Sequence, residues 1–122
     1  MHILVVDDEP LVAHTVSLIF RKQGFEVTTV CSADSALAAA LASAPDLVLC
    51  DIDMPCRSGL DLMYDLGRLL PGCPILVLTG LYSGLPGISA CARTLHQDVR
   101  VLTKPCPPTD LLREANLLLM NA

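Results

Sequence analysis

Leu47-Val48-Leu49-Cys50-Asp51-Ile52-Asp53-Met54-Pro55 is the stretch on which the fold turns. Four apolar residues run without interruption into a carboxylate, after a turn imposed by Pro45-Asp46. Uninterrupted apolar runs of this length are typical of parallel strands buried on both faces. Three further runs share the form: Ile3-Leu4-Val5-Val6 leads into Asp7-Asp8, Ile75-Leu76-Val77-Leu78 into Thr79, and Val101-Leu102 toward Lys104. In a parallel α/β sheet, residues just past the carboxyl ends of the strands meet in one crevice, where such folds place ligands. Asp7, Asp8, Asp51, Thr79 and Lys104 are therefore expected to share a site.

Between the runs the pattern is helical. Pro10 suits a first helical turn, Val12, Val16, Ile19 and Phe20 recur at helical spacing, and Gly24 marks the stop. Glu26 to Val30 reads as a second strand, and Ser32 as the N-cap of an Ala-rich helix with Leu37, Ala40, Leu41 and Ala44 on its inner face. Leu62, Met63, Leu66, Leu69 and Leu70 form the inner stripe of a third helix, which Pro71-Gly72 ends. Gly80 to Gly87 reads as a loop, followed by a short helix on Ile88, Cys91, Ala92 and Leu95. A brief fifth strand ends near Leu102, and a last helix turns Leu111, Leu112, Ala115, Leu118 and Leu119 inward. The chain thus alternates as (βα)5, and right-handed crossovers place helices on both faces of one sheet.

The 122 residues suit one domain, 1–122, which at this length buries roughly two thirds of its unfolded surface. With 52% hydrophobic residues, 3% aromatic and no Trp, the core must be built from Leu, Val, Ile and Ala. No apolar stretch approaches the ~20 residues that span a bilayer, and no signal peptide is evident, so a soluble cytoplasmic protein is expected, without a membrane partner. The net charge of −5 and the lack of a Lys/Arg run argue against direct nucleic-acid binding. The six cysteines contain no C-x-x-C pair, so neither a zinc site nor a thioredoxin-like site has its spacing. Cys31 and Cys50 end strand patterns and are expected in the core. Cys56 and Cys106 fall in loops beside the expected site.

Three carboxylates, a hydroxyl and an ammonium suit a divalent cation and a phosphoryl group. Mg²⁺ takes carboxylate and water oxygens, with phosphate completing its shell. Asp8 and Asp51 could each supply one oxygen, with Asp7 acting through water. Packed carboxylates repel unless a cation lies among them. Asp51 can then serve as a nucleophile forming an aspartyl-phosphate. Lys104 and Thr79 would each contact a phosphoryl oxygen and the metal a third.

Val5-Val6-Asp7-Asp8-Glu9-Pro10, the Pro45 to Pro55 stretch, Ser58-Gly59, Leu78-Thr79-Gly80 and Thr103-Lys104-Pro105 together resemble the receiver domain of two-component response regulators, over essentially the whole chain. The resemblance implies a flavodoxin-like (CheY-like) doubly wound parallel sheet of strand order 2-1-3-4-5. It implies that Asp51 accepts a phosphoryl group from a sensor histidine kinase or histidine phosphotransfer protein in a Mg²⁺-dependent reaction, a signalling step rather than an enzyme's turnover. Asp7 and Asp8 match the acidic pair, with Asp8 and Asp51 as direct metal ligands and Asp53 giving its backbone carbonyl. Thr79 and Lys104 would bind the phosphoryl group and couple it to an output surface whose target the residues do not name, with a homodimer left open.

Three positions depart from the family pattern. Val101 stands where many receivers carry an aromatic residue, the interval from Thr79 to Lys104 is longer than usual, and His96-Gln97-Asp98 replaces small turn residues. A remodelled output face is the expectation, with Tyr82 as its stand-in aromatic. Two other functions remain open on the residues alone: a receiver-fold interaction module that works without phosphorylation, and a haloacid dehalogenase-like phosphatase. Asp51-Ile52-Asp53 mimics the Asp-x-Asp of the latter, although Asp7 and Asp8 precede it rather than follow. Turnover of a phosphomonoester would favour the phosphatase.

Overall fold

Five parallel strands form one sheet in the order β2-β1-β3-β4-β5. They are β1 (His2–Val6), β2 (Glu26–Val30), β3 (Leu47–Asp51), β4 (Ile75–Thr79) and β5 (Val99–Thr103). The computed structural model describes residues 1–51, 59–80, 98–104 and 106–121. Helices α1 (Pro10–Arg21), α2 (Ala33–Ala42) and α3 (Gly59–Leu69) and a C-terminal helix (Pro108–Asn121) accompany the strands. The expected helix around Ile88 to Leu95, Tyr82, Asp53, Cys56 and His96-Gln97 lie outside the described residues, as does most of the Thr79 to Lys104 interval.

The apolar runs sort by parity, because alternate strand residues face opposite sides. Leu4, Val6, Val48, Cys50, Ile75 and Val77 pack with α2 and α3. Ile3, Val5, Leu47, Leu49, Leu76 and Leu78 pack with α1 and the C-terminal helix. β1, β3 and β4 are buried along most of their length, whereas β2, at the sheet edge, exposes Thr28 and Thr29. β5 begins at Val99 and continues to Thr103, so it is longer than the brief strand read from Val101-Leu102.

Local signals act where expected. Ser32 caps α2, its Oγ accepting the Ser35 N–H at 3.1 Å. Pro10 opens α1, and Gly72, at φ +88°, takes the left-handed turn after α3. Phe20 is fully buried and meets Phe25 edge-on, ring centroids 5.8 Å apart.

Some inward assignments are corrected. Leu41 is 66% exposed and Ala44 lies beyond the end of α2; Ala33, Ala36 and Ala40 make its buried face instead. Leu69 of α3 is exposed, while Leu62, Met63 and Leu66 are buried. Cys31, expected in the core, is exposed, whereas Cys50 is buried. After Ser35, α2 is apolar on every face, so its pattern could not select one, and Cys31 follows an edge strand that has solvent beside it.

Candidate functional site

Strand register brings the acidic residues together. Val6 aligns with Cys50 across β1 and β3, so Asp7 and Asp51 emerge side by side at the carboxyl end of the sheet. Asp51 aligns with Leu78 across β3 and β4, which puts Thr79 one residue beyond it. Thr79 in turn aligns with Thr103 of β5, delivering Lys104 to the same end. The Lys104 N–H donates to the Thr79 carbonyl at 2.8 Å and ties the two loop entries together.

Asp7, Asp8 and Asp51 each offer a carboxylate oxygen within 4.8 Å of the others. Asp7 and Asp51 are 1% exposed and Thr79 is fully buried, while Asp8 is half-buried. The Asp7 N–H donates to the Val30 carbonyl at 3.1 Å. Its Oδ1 accepts the Glu9 N–H at 2.9 Å, an Asx turn that leads into α1. Its Oδ2 is buried without a hydrogen-bond partner among the described residues. Burial raises the Asp7 carboxyl above its ordinary value, and the charges of Asp51 and Asp8 add to this against the Glu9 N–H and Lys104. The Lys104 ammonium lies 3.0 Å from Asp51 Oδ2, with 31% of its side chain exposed. Burial also pushes up the Cys50 thiol, which sits beneath the acids, so it remains protonated.

Five of the expected site residues therefore converge, and Asp53 lies outside the described residues. This donor set fits Mg²⁺: three oxygen ligands gathered at two strand ends, one bearing a buried oxygen that no group among the described residues satisfies. The backbone of Glu9 was missed by sequence reading. An Asp three residues ahead of a helix start was the available signal. The lining that Leu78 and Cys106 give to a neighbouring cavity was also missed, since it arises only when α1 and the C-terminal helix pack side by side.

No described helix is long and apolar enough to cross a membrane. A family model for the response regulator receiver domain matches residues 3–116. The chain is 46% identical over 77 residues to the probable transcriptional regulatory protein TcrX of Mycobacterium tuberculosis (strain ATCC 25618 / H37Rv), covering 63% of this chain and 33% of that protein. It is 31% identical over 104 residues to the transcriptional regulatory protein GlrR of Escherichia coli (strain K12), covering 85% of this chain and 23% of that protein. The chain thus spans a third or less of the length of these relatives. A CheY-like receiver domain protein from Methanospirillum hungatei JF-1 has a TM-score of 0.89 at 29% identity, covering 98% of this chain and 94% of that one. The chemotaxis protein CheY4 of Vibrio cholerae has a TM-score of 0.84 at 26% identity, covering 96% and 97%. Strand order, site placement and these likenesses agree: the chain belongs to the response regulator receiver domain family of two-component signalling.

Proposed function

We propose that Asp51 is the phosphoacceptor of a two-component phosphorelay. The observation that carries this reading is a nearly fully buried carboxylate at a strand end, with a lysine ammonium 3.0 Å away and oxygens of two further carboxylates within 4.8 Å. The donor is a phosphohistidine on a sensor histidine kinase or a histidine phosphotransfer protein, met in the cytoplasm. The P–N bond of the phosphohistidine breaks as a P–O bond forms to an Asp51 carboxylate oxygen, and the imidazole leaves with the electron pair. Water later attacks the phosphorus, returning Asp51 as a carboxylate and releasing inorganic phosphate.

Asp8 and Asp51 would hold Mg²⁺ directly, Asp7 would act through water, and Asp53 would offer its backbone carbonyl. Bound Mg²⁺ supplies charge neutralisation for the acids and for the incoming phosphoryl oxygens. The chain's own groups do the rest. Lys104 orients the Asp51 carboxylate and then meets a phosphoryl oxygen. The Thr79 hydroxyl meets another. Burial of Asp7 and Asp51 keeps bulk water from competing for these contacts.

Incubation with Mg²⁺ and acetyl phosphate tests the reading. The expected result is a mass gain of one phosphoryl group, absent in Asp51→Asn. Lack of any gain from acetyl phosphate and from a phosphorylated histidine donor would instead leave a receiver-fold module that works without phosphorylation.

A further inference from the structure

Lys104 stands in two places at once. Its ammonium lies against Asp51, and the residue also lines an apolar cavity of about 590 Å³ between α1 and the C-terminal helix. Leu11, Thr15 and Ile19 line the cavity from α1, and Pro108 and Leu111 from the C-terminal helix. Leu78, the chain neighbour of Thr79, and Cys106 complete the wall where Lys104 stands.

We propose that this cavity reports the state of Asp51, with the Lys104 side chain as the lever between them. The inference rests on the reading of Asp51 as phosphoacceptor. A phosphoryl group moves the negative charge outward from the carboxylate to the phosphoryl oxygens. A lysine head on a flexible four-carbon stem follows that charge. The Lys104 backbone is held by its N–H bond to the Thr79 carbonyl, so the stem takes up the motion. As the ammonium moves to the phosphoryl oxygens, the methylenes withdraw from the cavity wall and the end beside Cys106 opens.

Val101 leaves this route to Lys104. A valine has no ring to swing between buried and exposed positions, and Val101 packs with Val77 and Val99 on the opposite side of the sheet from the cavity.

Cys106 is a built-in reporter. It is half-buried, and burial raises its thiol above the ordinary value, so its basal alkylation is slow. The experiment measures iodoacetamide labelling of Cys106, resolved by peptide mass spectrometry, in Mg²⁺ with and without acetyl phosphate. Intact mass gives phosphoryl occupancy, and exposed Cys31 serves as an internal control. Phosphorylation should speed Cys106 labelling by about threefold or more, with Cys31 unchanged. Without any phosphodonor, Lys104→Ala should speed it similarly, while Lys104→Met, which keeps the stem, should not.

Phosphorylated protein with an unchanged Cys106 rate would overturn the lever and leave the acceptor reading standing. If no phosphoryl group is gained, the acceptor reading falls and the Lys104 variants decide the lever alone. Equal Cys106 rates in Lys104→Ala, Lys104→Met and the parent chain would then overturn it.

Discussion

Lys104 Nζ lies 3.0 Å from Asp51 Oδ2, joining the end of β5 to the end of β3 across the intervening β4. The acid is almost fully buried, whereas about a third of the lysine side chain meets solvent. The pair is therefore buried on its carboxylate side and open to solvent on its lysine side. Under the proposed acceptor role of Asp51, that asymmetry would let one cation serve the carboxylate first and a phosphoryl group afterward.

Replacing Lys104 with Met keeps the stem and removes the charge beside three clustered acids. The expected cost is roughly 1–2 kcal/mol, below that of a fully buried pair because the ammonium is partly solvated. Urea unfolding without divalent metal checks this. Added Mg²⁺ should recover part of the loss, since it supplies the missing positive charge.

Asp7 sets a pH dependence. Its carboxyl is raised chiefly by burial, so the folded state keeps this proton to a higher pH than the unfolded chain does. Between the ordinary Asp value and the raised one, the folded state binds more protons. The Asp7 contribution to stability is therefore greatest at acid pH, falls as pH rises through that window, and then levels off. Asp7→Asn should abolish this component and stabilise the metal-free protein at neutral pH by about 1 kcal/mol. Urea midpoints in EDTA, from about pH 4 to about pH 8, would show a flatter profile for the variant.

Mg²⁺ should raise the melting temperature, because the acids gathered in the folded chain are scattered in the unfolded one. At 100-fold above its dissociation constant a folded-state ligand contributes about 2.7 kcal/mol. Thermal melts across a Mg²⁺ titration should show this gain in the parent chain and a much smaller one in Asp8→Asn and Asp51→Asn.

Ser32 offers a test far from the site. Its Oγ accepts the Ser35 N–H at the start of α2. Ser32→Ala should cost about 1 kcal/mol in urea unfolding while leaving phosphoryl acceptance unchanged.

Most of the architecture was readable from three continuous apolar runs. β1, β3 and β4 are buried on both faces, so no polar residue interrupts their apolar runs, and each run leads directly into a site residue. The helices were less legible. In α2 the segment Ala36 to Ala42 is wholly apolar, so spacing could not tell buried Ala36 and Ala40 from exposed Leu41. Cys31 was misplaced because it closes a strand pattern, and only the sheet order shows that this strand lies at an edge.

The linear chain by itself determined that Asp7, Asp8, Asp51, Thr79 and Lys104 would meet, because parallel strands joined by right-handed crossovers all end on one side of the sheet. Tertiary structure alone decided their unequal states: Asp7 buried with one oxygen unsatisfied, Asp8 half-buried, and Lys104 shared between an acid and an apolar cavity. Strand ends follow from chain order, but burial and pairing depend on how the helices from distant parts of the chain pack around those ends.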